Sequence, residues 1–144
     1  MLTVRLARLD ERDALEALQW RASLALDEHR EELEANPDAI ELPIAMIERN
    51  EVFVAELDGQ VVGFSVLFIG EEEAELDGLF VEPGHWRTGI GTALVDVVTH
   101  QARKNGLALM VVANPSAQEF YEKCGFVLEG EVQTRFGPAI RMSK

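Results

Sequence analysis

Apolar and polar residues alternate at the start of the chain and then change to a helical spacing. In LTVRLARL, residues 2–9, the apolar side chains Leu2, Val4 and Leu6 alternate with polar ones, which predicts a half-buried strand. From residue 15 to residue 25 they recur at every third or fourth position, which predicts a helix that ends near Leu26. Asp10 and Asp13 resemble a capping box at the start of this helix.

The segment DEHREELEANPDAIELP, residues 27–43, is strongly charged and contains two prolines. Because proline interrupts a helix, we predict a break in this segment. The apolar spacing resumes beyond it and predicts a second helix through Ile44, Ile47 and Glu48.

Three β-rich runs follow. EVFVAEL, residues 51–57, and QVVGFSVLFIG, residues 60–70, are separated by Asp58-Gly59, two residues that tolerate positive φ, so we predict a tight hairpin. EAELDGLFVE, residues 73–82, predicts a further strand. Gly78 lies inside this strand, where a glycine often marks a β-bulge.

Helices and strands alternate in the rest of the chain. A helical pattern begins near Ile90 and ends at Gly106, which suits the position after a helix. LALMVVA, residues 107–113, is almost entirely apolar, as expected of a central strand that is buried on both faces and partly parallel.

The last helix is predicted to start at Asn114-Pro115, as cap and first-turn proline, and to end at Gly125. Two strands, Phe126 to Thr134 and Phe136 to Met142, would form a closing hairpin joined near Gly137-Pro138. The predicted order is β-α-α-β-β-β-α-β-α-β-β, an α/β (α+β) fold in which helices pack on a mixed sheet.

Composition narrows the class of protein. A chain of 144 residues that is 47% hydrophobic suits one domain, residues 1–144. Its formal net charge of −13 argues against nucleic acid as the main partner. It contains neither an apolar run of membrane-spanning length nor a signal-peptide core, so we expect a cytoplasmic protein. One cysteine and three widely separated histidines argue against a zinc site.

The loop in VEPGHWRTGIGTALVDVV, residues 81–98, is a candidate anion site. It carries three glycines directly before a predicted helix, whose first backbone N–H groups are free to bind a phosphate. The Walker lysine is absent, and Leu94 stands where the dinucleotide fingerprint requires glycine or alanine. A plain surface turn remains an alternative. Arg87 favours a pyrophosphate ligand.

VEPGHWRTGIGTAL and the downstream NPSAQEFYEKCGF resemble the two central motifs of the GNAT superfamily of acyl-CoA-dependent N-acetyltransferases, from about Glu75 to Phe126. The resemblance implies the GNAT fold, with a mostly antiparallel sheet flanked by helices, and acetyl-CoA as co-substrate without a metal. Trp86 departs from the family pattern, in which this position is most often Gln or Arg.

The resemblance also implies which residues bind the coenzyme. The Leu79 amide would polarise the thioester carbonyl, and the strand edge at Phe80 and Val81 would hold the pantetheine arm. Asn114 corresponds to a pantetheine contact, although a plain N-cap explains it equally well. The backbone amides that would hold the pyrophosphate belong to Arg87, Thr88, Gly89, Ile90, Gly91 and Thr92.

The catalytic groups are assigned in the same way. Tyr121 matches the family's general acid; by itself it would be interpreted as a core tyrosine. Glu75 matches the glutamate base of histone-acetylating members, with Asp77 or a chain of water molecules as alternatives. The run EEEAELD could also be a solvated, charge-protected strand. Cys124 is expected to be a small buried residue. His85 is interpreted as a surface residue and Lys123 as an exposed helix lysine, and both are also candidates for contact with the coenzyme phosphates.

The predicted function is therefore transfer of an acetyl group from acetyl-CoA to a primary amine of a small molecule or peptide. Residues that would bear on acceptor choice are Trp20, Glu28, Glu31, Glu32, Phe136 and Arg141. The acidic segment LDEHREELEAN would suit a cationic acceptor, although charge runs are usually solvated surface. Alternatives are an acyl-CoA-sensing module and an enzyme that uses a longer acyl donor. Homodimers are frequent in the family.

Overall fold

The computed structural model describes residues 1–25, 30–35, 41–135 and 137–144. In these ranges the chain forms one sheet of seven strands with helices on both faces. The strands are β1 (Leu2–Leu6), β2 (Val52–Leu57), β3 (Gln60–Ile69), β4 (Ala74–Val81), β5 (Leu109–Ala113), β6 (Val127–Thr134) and β7 (Gly137–Ser143). The helices are α1 (Arg12–Ala25), α2 (Arg30–Ala35), α3 (Ile44–Glu48), α4 (Ile90–Lys104) and α5 (Gln118–Lys123).

The strand order across the sheet is β1-β2-β3-β4-β5-β7-β6, and every neighbouring pair is antiparallel except β4 with β5. The predicted fold class is therefore confirmed. So is the prediction that 107–113 contains a central and partly parallel strand, because β5 lies between parallel β4 and antiparallel β7.

The two faces of the sheet carry separate apolar clusters. On one face Val95 and Val98 of α4 are buried with Leu76 and Val111 of the sheet. On the other face the buried side chains of α1, Leu15, Leu18 and Ala22, meet Val54, Phe64 and Val66. This arrangement follows from the alternation of side chains along each strand, which sends successive residues to opposite faces.

The β2–β3 hairpin is confirmed. Asp58 has φ 50° and Gly59 has φ 86°, as the predicted two-residue turn requires. The closing hairpin is confirmed as β6 and β7, but its turn does not lie at Gly137-Pro138. Gly137 pairs with Thr134 and Pro138 pairs with Gln133, so both residues belong to β7.

The start of the chain differs from the prediction in two details. Leu2 and Leu6 are 37% and 42% exposed, because β1 is an edge strand. The capping interaction is made by Glu11, whose carboxylate accepts a 2.8 Å hydrogen bond from the Arg8 backbone N–H, and α1 begins only at Arg12. The predicted pair Asp10 and Asp13 is therefore wrong.

The region between α1 and β2 also differs from the prediction. The predicted second helix at 44–48 is confirmed as α3, but a further short helix, α2, precedes it. The prediction counted one helix here because the charged sequence of α2 has no apolar spacing. In the ranges described above, no helix is both long and apolar enough to cross a membrane.

A β-bulge interrupts the β3–β4 ladder beside Gly78. Val66 pairs with Gly78 and Leu67 pairs with Leu76, which leaves Asp77 as the extra residue of β4. The bulge predicted from Gly78 is thus present, with Asp77 as the residue that has no counterpart. Strand β4 pairs with β5 only over Ala74–Leu76, so its last residues have no strand on that side among the described residues.

Candidate active site

The free edge of β4 presents backbone groups to a ligand. The Glu82 N–H donates to the Val62 carbonyl of β3 at 2.8 Å. Since hydrogen-bonding direction alternates along an antiparallel strand, the N–H and C=O groups of Leu79 and Val81 point away from β3. They therefore line the side of β4 that β5 leaves open, where an extended chain could add as a strand.

The loop between β4 and α4 brings backbone amides to the same place. A 3₁₀ turn at Pro83–His85 is followed by Arg87 and Gly89, whose φ angles of 64° and 87° are left-handed. Gly89 is the residue before α4. The first hydrogen bond of this helix runs from the Ala93 N–H to the Gly89 carbonyl oxygen at 3.1 Å. The backbone amides that precede Ala93 therefore make none of the helix's internal hydrogen bonds. Together with the helix dipole, they favour the binding of an anion.

These elements surround a cavity of about 630 Å³. This volume lies in the range of roughly 300–1,000 Å³ that is common for small-molecule sites. Strand β4, the loop, α4, α5 and α1 all contribute to its wall. The lining residues are Ala22, Ser23, Leu79, Phe80, Val81, His85, Trp86, Arg87, Gly89, Gly91, Thr92, Ala117, Phe120, Tyr121 and Lys123.

Most of the residues that sequence analysis assigned to the coenzyme lie on this wall. Those present are Leu79, Phe80, Val81, Arg87, Gly89, Gly91 and Thr92. Thr88, Ile90, Asn114 and Glu75 are not among the lining residues. The Ile90 side chain is 3% exposed and packs in the core, so only its backbone could serve a ligand.

Asn114 acts as the N-cap that its position predicts. Its side-chain oxygen Oδ1 accepts a 3.0 Å hydrogen bond from the Ser116 backbone N–H, and Pro115 opens the 3₁₀ turn that leads into α5. The structure thus gives Asn114 a complete local role.

Tyr121 belongs to the core and to the cavity wall. Only 7% of it is exposed, and its ring packs edge to face with Phe120 and Phe126 at centroid distances of 5.1 and 5.3 Å. Burial raises the pKa of the phenol, and the neighbouring Cys124 raises it further. The hydroxyl therefore stays protonated at neutral pH and can donate a hydrogen bond or a proton.

Two carboxyl groups of β4 have raised pKa values. Burial is the main cause for Glu75, and the charges of Asp77 and Glu73 add to it. Loss of hydration also raises the pKa of Asp77, with a further contribution from Glu51. A raised carboxyl pKa suits a general base at neutral pH. Both groups lie beside the bulge, outside the cavity lining.

Sequence reasoning missed the parts of the wall that come from elsewhere in the fold. Ala22 and Ser23 of α1 line the cavity, and Arg21 holds α1 to the loop through two hydrogen bonds of 2.7 and 2.8 Å to the Glu82 carboxylate. Phe120 of α5, which sequence analysis did not assign to the site, also lines the cavity. No local signal marks Ala22 or Ser23, because their place depends on how α1 packs.

The remaining candidates are distributed as follows. His85 and Lys123 line the cavity. Cys124 is half-buried, and burial raises the pKa of its thiol, which argues against a nucleophile. In the described parts of the chain, no group of three His, Cys, Asp or Glu side chains could hold a metal ion.

The residues proposed for acceptor choice are only partly described. Glu28 and Phe136 lie outside the described residues, as does the side chain of Glu32. Glu31 is exposed on α2, and Trp20 is half-buried on α1 but is not among the cavity-lining residues. Arg141 of β7 is held by Glu73 at 2.6 Å and by Glu129 at 2.7 Å.

The chain is similar to proteins of a known family. A family model described as acetyltransferase (GNAT) family matches residues 13–126. An uncharacterized N-acetyltransferase of Mycobacterium tuberculosis (strain ATCC 25618 / H37Rv) is 33% identical over 94 residues, which are 62% of this chain and 60% of that protein. The chain thus spans about three fifths of the length of this curated relative.

Solved structures share the fold over nearly the whole chain. A GCN5-related N-acetyltransferase of Rhodopseudomonas palustris superposes with a TM-score of 0.81 at 24% identity, over 99% of this chain and 94% of that one. An N-acetyltransferase of Thermoplasma acidophilum in complex with coenzyme A superposes with a TM-score of 0.75 at 18% identity, over 100% and 98%. At these identities the likeness concerns the fold.

Proposed function

We propose that this chain, which belongs to the acetyltransferase (GNAT) family, transfers an acetyl group from acetyl-CoA to a primary amine by direct attack. One observation carries the proposal. A single cavity is lined by the free edge of β4, by the glycine loop before α4 and by Tyr121. A thioester coenzyme has a part that suits each of these three features.

The coenzyme would bind along the wall from β4 to the loop. Its pantetheine amides would exchange hydrogen bonds with the outward carbonyl of Leu79 and the outward N–H of Val81. Its pyrophosphate would meet the backbone amides from Arg87 to Thr92, and the cavity-lining His85, Arg87 and Lys123 add side chains that suit an anion.

The transfer needs an oxyanion site, an acid and a base. The amine nitrogen forms a bond to the thioester carbon, and the Leu79 N–H stabilises the negative charge that develops on the carbonyl oxygen. The C–S bond then breaks and the sulfur takes a proton from the Tyr121 hydroxyl, so that coenzyme A leaves as a thiol. The proton lost by the amine goes to Glu75, to Asp77 or to water, and the Tyr121 phenolate regains a proton from solvent before the next turnover.

The acceptor is proposed to be a small-molecule or peptide amine with positive charge. The chain carries a net charge of −13, and the carboxyl groups of Glu75 and Asp77 lie on β4 close to the bulge. A cationic amine approaching from that side would be attracted by these charges.

The experiment is a thiol-release assay with acetyl-CoA and a panel of amines that includes polyamines, lysine peptides and aminoglycosides. We expect amine-dependent release of coenzyme A and a product that is heavier by one acetyl group. Tight coenzyme binding without release across the panel would favour the sensing module instead. Propionyl-CoA and butyryl-CoA, tested beside acetyl-CoA, decide whether the donor is longer.

A further inference from the structure

Trp86 makes a hydrogen bond that crosses from the loop to the free edge of β4. Its indole nitrogen Nε1 donates to the backbone carbonyl oxygen of Val81 at 2.8 Å. Both residues line the cavity. Trp86 is 39% exposed, so its ring lies at the surface of the site and not in the core.

The acceptor of this bond is one of the outward groups of β4. The direction of the ladder, set by the Glu82 N–H on the Val62 carbonyl, turns the Val81 carbonyl away from β3. The bond to Trp86 agrees with this direction, because the indole lies on the cavity side of the strand. One side chain thus connects the strand edge to the loop.

The loop needs such an anchor for a physical reason. Arg87 has a left-handed φ of 64°, which costs a non-glycine residue conformational energy, and Gly89 follows with 87°. The Trp86 backbone N–H bonds Pro83 at 3.3 Å, at the end of the 3₁₀ turn. The bond from the indole to Val81, five residues earlier, adds a contact between this part of the loop and the end of β4.

We propose that Trp86 is a positioning residue that sets the distance between the two halves of the coenzyme site. It ties the amides that would hold the pyrophosphate to the strand edge that would hold the pantetheine. A donor that spans both halves binds more tightly when their spacing is fixed, because less conformational entropy is lost on binding. This inference rests on the proposed function and adds a role for the residue at which the chain departs from its family.

The test compares two donors on wild type and on Trp86→Phe, which keeps an aromatic ring and removes the N–H. Acetyl-CoA spans both halves of the site, whereas S-acetylpantetheine lacks the pyrophosphate. We expect kcat/KM for acetyl-CoA to fall about three- to ten-fold, the range of one hydrogen bond, mainly through KM. For S-acetylpantetheine we expect a change of less than about two-fold, since this donor does not use the loop.

The matched control is Asn105→Ala. It removes a side-chain N–H bond to a backbone carbonyl of the same length, 2.8 Å to Gln101, at the other end of α4. We expect this control variant to have the wild-type kcat/KM for both donors. An equal fall in kcat/KM for both donors in Trp86→Phe, or an unchanged kcat/KM for both, would overturn the positioning role.

A binding measurement separates this inference from the proposed function. The dissociation constant of coenzyme A, measured by calorimetry, should be larger for Trp86→Phe and unchanged for Asn105→Ala. If wild type binds coenzyme A but releases no thiol with any amine, the proposed function fails while the positioning role is still decided by this comparison. Equal affinity of wild type and Trp86→Phe contradicts the positioning role.

Discussion

At the scale of single residues, Tyr121 combines packing with chemistry. Its ring contacts Phe120 and Phe126 in the core, while the residue also lines the cavity. The packing uses the ring and the proposed proton transfer uses the hydroxyl. A variant that keeps the ring and removes the hydroxyl can therefore separate the two roles.

Tyr121→Phe should lower kcat by about 10²- to 10⁴-fold, the usual contribution of a general acid. Because burial raises the pKa of Tyr121, the wild-type phenol stays protonated through the neutral and mildly alkaline range, and the loss should be similar at every pH there. Thiol-release kinetics over a pH series check this. A thermal melt controls for packing, and a kcat equal to wild type removes Tyr121 from the mechanism.

Glu75→Gln tests the base. The raised pKa of Glu75 means that the carboxyl is protonated, and inactive as a base, up to a higher pH than a free glutamate. We therefore expect wild-type kcat/KM to fall as pH drops through this raised pKa. We expect Glu75→Gln to lose that acid limb together with about 10²-fold or more of the rate.

Asp77→Asn and Glu72→Gln complete this comparison, measured as pH profiles of kcat/KM. Asp77 is the alternative base on the bulge, and its pKa is also raised. Glu72 is an exposed carboxylate in the same acidic run. Should Asp77→Asn remove the acid limb while Glu75→Gln keeps it, the assignment passes to Asp77. A limb that survives in both variants favours a water chain.

At the scale of elements, the loop and the start of α4 form the part of the site that most depends on small residues. A Cβ atom on Gly91 would lie 3.1 Å from the Phe120 ring, which also lines the cavity. A Cβ atom on Gly84 would meet nothing within 4 Å. The two glycines belong to one motif but face different surroundings.

Gly91→Leu should raise the KM for acetyl-CoA by about ten-fold or more, because the side chain enters the cavity where the pyrophosphate is proposed to bind. Gly84→Leu is the matched control, with the same substitution in open space, and should leave KM near the wild-type value. Steady-state kinetics with varied acetyl-CoA check both. Equal KM values for Gly91→Leu and wild type would count against the phosphate site.

Some helices and turns were predictable from local sequence patterns, and others were not. The hairpin at Asp58-Gly59 and the helix from Ile90 were predictable because turn residues and apolar spacing are local signals. Helix α2 was missed because four of its six residues are charged and it has no repeating apolar pattern. The turn of the last hairpin was misplaced, since Gly137 and Pro138 resemble turn residues yet pair within the ladder.

At the scale of the whole molecule, the coenzyme would join parts of the chain that are distant in sequence. The cavity is lined by α1, β4, the loop, α4 and α5. A ligand that contacts them together binds the folded state and not the unfolded chain, so it should stabilise the whole fold.

Coenzyme A at about 100 times its dissociation constant should therefore stabilise the folded state by about 2.7 kcal/mol. For a domain of 144 residues, this stabilisation corresponds to a rise of roughly 9 °C in the melting temperature. Differential scanning fluorimetry with increasing coenzyme A measures this. Adenosine 3′,5′-bisphosphate, which lacks the pantetheine, should give a smaller shift. The absence of any shift with coenzyme A would contradict a coenzyme site in this cavity.

The fold class and the two motifs were predictable from the sequence, because they depend on local periods, on turn residues and on short spacings between Gly89, Gly91 and the start of α4. The residues of the proposed coenzyme site were implied by the resemblance of these motifs to the family. The folded structure was needed to show that Asp77 is the bulged residue, that Ala22 and Ser23 line the cavity and that Trp86 bonds Val81. The bulge and the cavity wall arise from strand register and from the packing of α1, which depend on contacts between residues distant in sequence. The bond from Trp86 to Val81 depends on how the loop folds back on the end of β4.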